Sequence, residues 1–150
     1  MSDNLKYVMI VTEGPHDVEA VSKVLRLRGY TDRDNINDIP EALHFFIPKQ
    51  YPFNEEGHME RGVPRPSFLM KEEKWAVIVN AGGISKIVKK LSDSLSAMHI
   101  GLFQMLCGIA IIADMDNSDQ AAHQSDFVGQ MMSEMEEFQL CTLLKESCEM

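Results

Sequence analysis

The chain has 150 residues, room for one domain and one core, with 45% hydrophobic and 25% charged residues, values ordinary for a globular protein and against disorder. Its formal net charge of −9 excludes a generally basic nucleic-acid-binding surface, so contact with phosphates would need bridging metal ions, a local basic patch or a partner subunit. The start, MSDNLKYVMI, lacks the basic region and apolar stretch of a signal peptide, and no apolar run approaches the ~18 residues of a membrane span; a cytoplasmic protein is expected. Cys107, Cys141 and Cys148 have no repeated spacing, which argues for reduced thiols over a disulfide framework or a zinc knuckle.

In chain order, Lys6–Thr12 (KYVMIVT) is a short β-branched apolar run, the pattern of a buried parallel strand. Gly14 and Pro15 break it. Asp17–Arg28 then carries Val18, Val21, Val24, Leu25 and Leu27 at helical spacing, and Gly29 is a natural stop. Residues 32–73 differ from the rest: they hold every proline but Pro15 and read as an insertion or long loop, with His44–Ile47 as a short strand. Lys74–Asn80 (KWAVIVN) is a second buried strand, ended by Gly82-Gly83. Ile84–Met98 follows with a helical apolar face of Ile84, Ile87, Val88, Leu91 and Leu95. Cys107–Ala113 (CGIAIIA) is a third strand, running directly into Asp114-Met115-Asp116. A helix over Gln120–Phe138 would align Phe127, Met131, Met135 and Phe138, and Gln139–Leu144 is either a last strand or more helix.

This alternation predicts an α/β domain over 1–150, with a mainly parallel sheet of about four strands flanked by helices. Right-handed crossovers put the C-terminal ends of parallel strands on one edge, where ligand sites form. Three loops meet there, and each has an ordinary reading beside a chemical one. Glu13 directly follows a buried strand, and Asp17 lies one helical turn later; yet Pro15 and early acids also suit a plain helix start. Asp114 and Asp116, spaced by one residue, suit a hard divalent cation; they also suit an acidic cap, and an EF-hand fails because Asp119 and Ser125 stand where its glycine and glutamate belong. Gly82, Gly83 and Lys86, with Lys89 and Lys90 nearby, offer a weak phosphate-binding turn, although no P-loop sequence is present.

Taken together, the E-G-x-x-D after the first strand and the D-x-D after the last resemble the Toprim domain, a family that includes topoisomerases, primases, small recombination proteins and overcoming-lysogenization-defect nucleases. The resemblance spans Tyr7–Leu25 and Cys107–Ser118, and the strand and glycine turn at Trp75–Lys86 are similar to the nuclease members. It implies that Glu13 binds metal or serves in acid–base chemistry, that Asp114 and Asp116 hold Mg²⁺ (or Mn²⁺), and that Asp17 joins the cluster. Glu13 and Asp114 are then expected within about 4–8 Å of each other. The implied function is metal-dependent phosphodiester hydrolysis, as a nuclease or nuclease subunit acting on DNA or RNA, with no membrane association. No tyrosine adjoins these motifs, and no nucleotide-handling domain is present, so neither topoisomerase nor primase activity is expected of the chain alone. Asn117-Ser118 departs from the glycine common after the D-x-D. His16 reads as a turn histidine close to the acids. The alternatives are a non-enzymatic Toprim-like interaction or regulatory module docking a partner protein, favoured by the charge and the Met-rich helix, and a phosphate-binding regulator resting on the glycine turn.

Overall fold

The computed structural model describes residues 5–60 and 65–113, and the account below concerns these. The expected helix Gln120–Phe138, the tail 139–144 and the Asp114/Asp116 pair lie outside the described residues.

Five strands form one mixed sheet in the order β2-β3-β4-β1-β5: β1 Lys6–Thr12, β2 Thr31–Arg33, β3 Ser67–Lys71, β4 Lys74–Asn80 and β5 Leu106–Ile112. The three apolar runs of the sequence sit side by side at its centre and one side, with β1 parallel to both β4 and β5. The fold is therefore α/β, but the expectation of about four mainly parallel strands is corrected. β2 and β3 come from the stretch read as an insertion, and both β2–β3 and β3–β4 pair antiparallel. The β3–β4 hairpin turns through Glu72-Glu73, with Glu72 at φ 57. Tight hairpins usually announce themselves by Asn or Gly at such positions, and a glutamate does not.

Helix α1 (Pro15–Leu27) covers one face. Val18, Val21 and Leu25 pack with Val8 and Ile10 of β1, Leu69 of β3, and Ala76 and Ile78 of β4. Helices α2 (Ile87–Ala97) and α3 (Ile100–Met105) cover the other face, where Tyr7, Met9 and Val11 of β1 and Trp75, Val77 and Val79 of β4 form the larger core. The period-two alternation along β1 thus feeds two cores from one strand. The Ile84–Met98 helix divides into a 3-10 turn over Ile84–Lys86 and α2 proper. α3 has no counterpart among the sequence expectations; His99 caps it, Nδ1 accepting the Leu102 N–H at 3.2 Å.

The stretch between β2 and β3 is not a detached loop. Ile39, Leu43, Tyr51 and Met59 are buried in the larger core, and Phe46 meets Tyr7 edge-to-face at 5.7 Å. His44–Ile47 is not a strand: Glu41–Phe46 is a 3-10 helix after Pro40, which directs Leu43 inward while its aromatic residues pack on the sheet. Among the described residues, no helix is long and apolar enough to cross a membrane.

Candidate functional site at the carboxyl edge of the parallel strands

Thr12, Asn80 and Ile112 end the three parallel strands in lateral register. Beyond them the hydrogen-bond ladder continues through Glu13. The Glu13 N–H donates to the Ile112 carbonyl at 3.1 Å, and the Glu13 carbonyl accepts the Gly83 N–H at 2.8 Å. The Ala81 N–H donates to the Thr12 carbonyl at 2.9 Å. Glu13 is therefore clamped by its backbone between the end of β5 and the turn after β4. Its side chain, half-buried, rises from a rigid support at the edge where parallel sheets carry ligand sites.

Asp17 lies one turn into α1. Its Oδ2 accepts the Gly14 N–H at 3.2 Å, and the Val18 N–H donates to the Gly14 carbonyl at 3.3 Å. That is half of a capping box: an acid at the third helical position holds the N-cap amide, while Gly14 has no side chain to answer it. The acid also offsets the helix dipole. A Cβ at Gly14 would meet nothing within 4 Å, so space is open above the turn. His16 is exposed beside it.

The Gly82-Gly83 turn is tied into the protein by its backbone. The Gly82 N–H donates to Asn80 Oδ1 at 2.8 Å and the Gly83 N–H to Glu13, so both amides are engaged within the protein. The turn ties β4 to β1 and sets the position of Glu13. Asn80 carries this geometry through an Asx turn, a role that its place after a strand and before Ala-Gly-Gly could have suggested. Lys86 and Lys90 remain exposed beyond the turn, and Lys89 pairs with Asp93 at 2.7 Å.

Among the described residues, no group of three or more His, Cys, Asp or Glu side chains gathers to hold a metal ion. Glu13 and Asp17 alone do not make a cation site. Their chemistry does fit a hard cation, which takes carboxylate oxygens and water. The remaining acids of the expected set, Asp114 and Asp116, lie outside the described residues, and so does the expected Glu13–Asp114 separation; in sequence the chain reaches Asp114 two residues after Ile112, the partner of the Glu13 amide.

A cavity of about 660 Å³ lies at the opposite, amino-terminal edge of the parallel strands. Lys6, Val8, Tyr30, Lys74, Trp75 and Cys107 are among its lining residues. They come from four separate stretches of chain, which no local pattern connects.

Compared with protein-family models, curated proteins and solved structures, the chain matches none.

Proposed function

We propose that the carboxyl edge of the parallel strands is a metal-dependent phosphodiester hydrolysis site, in a nuclease or nuclease subunit of Toprim type acting on DNA or RNA. The observation that carries this reading is the clamp on Glu13. A glutamate fixed by its backbone between two parallel strand ends is pre-organised as a catalytic acid should be, and two more carboxylates follow from the adjoining strand in sequence. Asp114 and Asp116 would hold Mg²⁺ or Mn²⁺, with Glu13 in the same set. The bound ion would supply activation of water and stabilisation of the leaving oxygen. Glu13 would accept the proton of the attacking water as the new phosphorus–oxygen bond forms and the ester bond breaks. Asp17 acts first as the cap that fixes the Glu13–Gly14 turn, and second as a carboxylate beside it. Lys86 and Lys90 would attract the phosphate backbone, a local exception to the net charge of −9.

The test is cleavage of single- and double-stranded DNA and RNA with Mg²⁺ or Mn²⁺, comparing wild type with Asp114→Asn and with Glu13→Gln. Both variants should lose cleavage, and calorimetry should show weaker divalent binding for Asp114→Asn. Stability should fall little and can rise, because removing one of several neighbouring carboxylates relieves repulsion. Absence of divalent binding, with cleavage by Asp114→Asn equal to that of wild type, would sink the enzyme reading and favour the interaction module.

A further inference from the structure

The cavity at the amino-terminal edge of the parallel strands is lined by charged side chains of both signs, Lys6 and Lys74 with Glu72 and Glu73. Lys6 and Lys74 are register partners on β1 and β4. Each stands two residues before a residue of the smaller core, Val8 or Ala76, so strand alternation sends both lysines to the face that α1 covers. Lysines often guard the edge of a sheet, but β1 and β4 are interior strands, so that use does not apply here. Glu72 and Glu73 form the turn of the β3–β4 hairpin, directly before Lys74. Among the described residues none of the four is in an ion pair, although opposite charges share one cavity. Lys71 beside them differs: its Nζ donates to the Arg28 carbonyl at 2.8 Å and ties the hairpin to the end of α1. Val8 and Tyr30 give the cavity apolar surface, and Tyr30 is fixed by its N–H, which donates to the Leu25 carbonyl at 3.0 Å.

We propose that this cavity binds a small zwitterion with an apolar body, of the class of an apolar dipeptide with free termini. Its volume, about 660 Å³, falls within the range of about 300–1,000 Å³ in which proteins enclose small ligands. Such sites hold the body of a ligand on apolar walls and fix its orientation with a few polar groups. Here Val8 and Tyr30 would take the side chains, Lys6 and Lys74 the carboxylate, and Glu72 and Glu73 the ammonium group. A plain anion would set its charge beside two glutamates, and a plain cation beside two lysines. A ligand carrying both charges is complementary to all four groups. The two lysines on neighbouring strands also repel each other, and a carboxylate between them relieves that repulsion. The proposal does not rest on the hydrolytic reading, which concerns the opposite edge of the sheet.

Calorimetry on the full chain with leucyl-phenylalanine tests it without metal or nucleic acid. Binding should saturate at one molecule per chain. Capping either end of the dipeptide, as the N-acetyl or the C-amide form, should weaken binding at least about tenfold through loss of charge-assisted contacts. Lys6→Ala combined with Lys74→Ala should weaken the free dipeptide to the same degree and leave the C-amide form unchanged. Glu72→Gln combined with Glu73→Gln should weaken the free dipeptide and leave the N-acetyl form unchanged. A merely damaged fold would weaken every form alike. The place of binding is read at Cys107, an exposed thiol that lines the cavity. In the chain carrying Cys141→Ser and Cys148→Ser, dipeptide at about ten times its dissociation constant should slow alkylation of Cys107 by up to about tenfold. Absence of saturable binding would overturn the proposal. Equal affinity for a capped form would do so too, by making the ligand a plain anion or a plain cation. Binding that leaves the alkylation rate of Cys107 unchanged would place the ligand elsewhere and equally overturn it.

Discussion

Gly83 is the most constrained point of the clamp on Glu13. It holds φ 144 and ψ 152, a region open in practice to glycine alone, and Gly82 before it holds φ 79. Gly14 across the edge is ordinary extended backbone at φ −147, ψ 177. A Cβ added to any of the three would meet nothing within 4 Å, so alanine at these positions separates backbone strain from steric clash. Strain at Gly83 should cost about 1–3 kcal/mol, from which about 0.4–1 kcal/mol is recovered because alanine also restricts the unfolded chain. Gly83→Ala should then destabilise by about 1–2 kcal/mol and lower the Tm by about 3–6 °C. Gly82→Ala should fall between that and wild type. Gly14→Ala should be close to neutral, since a small loss of N-cap preference is offset by the same unfolded-state gain. Urea titration is the assay: the midpoint should move at an unchanged slope. If Gly83→Ala proves as neutral as Gly14→Ala, the turn does not hold its shape by glycine geometry, and the clamp loses its basis.

Two further predictions concern the larger core. The Tyr7 hydroxyl, buried beneath α3, donates to the Leu102 carbonyl at 3.2 Å, so Tyr7→Phe should cost about 1 kcal/mol in urea titration by leaving that carbonyl without its donor. Burial first, and the nearby Cys107 thiolate second, push the Tyr7 phenol well above its ordinary range. The unfolded chain therefore loses this proton near pH 10 while the folded one keeps it; stability should be intact below about pH 10 and fall as pH rises beyond it. A spectrophotometric titration should show the Tyr7 signal, identified by its loss in Tyr7→Phe, appearing only with alkaline unfolding. Leu43, fully buried within the stretch between β2 and β3, should cost about 2–5 kcal/mol as Leu43→Ala. A change under about 0.5 kcal/mol by thermal melting would mean that this stretch adds nothing to the core.

What could be read from sequence follows from the kind of signal each element leaves. β1 and β4 are continuous apolar runs because both their faces meet protein, and such runs stand out in any register; β5 is as continuous a run, although Ala110 and Ile112 are exposed among the described residues. The apolar positions of α2 that were expected inside, Ile87, Val88, Leu91 and Leu95, are inside. α1 is a weaker case: Val18, Val21 and Leu25 face the sheet, whereas Val24 and Leu27 of the same expected stripe are exposed. β3 was missed because SFLMK is five residues long and its turn lacks the usual punctuation. The 3-10 helix at Glu41–Phe46 was misread because His44–Ile47 has the aromatic and β-branched composition of a strand, while packing of Leu43 and Phe46 against the sheet decided the backbone. At the site, the meeting of Glu13 with the ends of β4 and β5 could be anticipated from strand polarity alone. The engagement of the Gly83 amide could not, since it depends on the Glu13 carbonyl, about seventy residues away.

The E-G-x-x-D sequence separates into parts of unequal diagnostic value. Its Gly-x-x-Asp portion is what a helix start requires: Gly14 is the N-cap, and Asp17 stands three residues on, where its carboxylate reaches the cap amide. Any helix beginning after a buried strand could carry that spacing with no chemistry attached. Glu13 differs. The clamp uses its backbone N–H and carbonyl, which every residue except proline would supply equally, and neither the cap nor the clamp calls for a carboxylate at that position. Glu13→Gln leaves the backbone clamp and the helix cap in place. That is why a loss of cleavage on Glu13→Gln would speak for the proposed chemistry, whereas a loss on replacing Asp17 would speak equally for a damaged helix start.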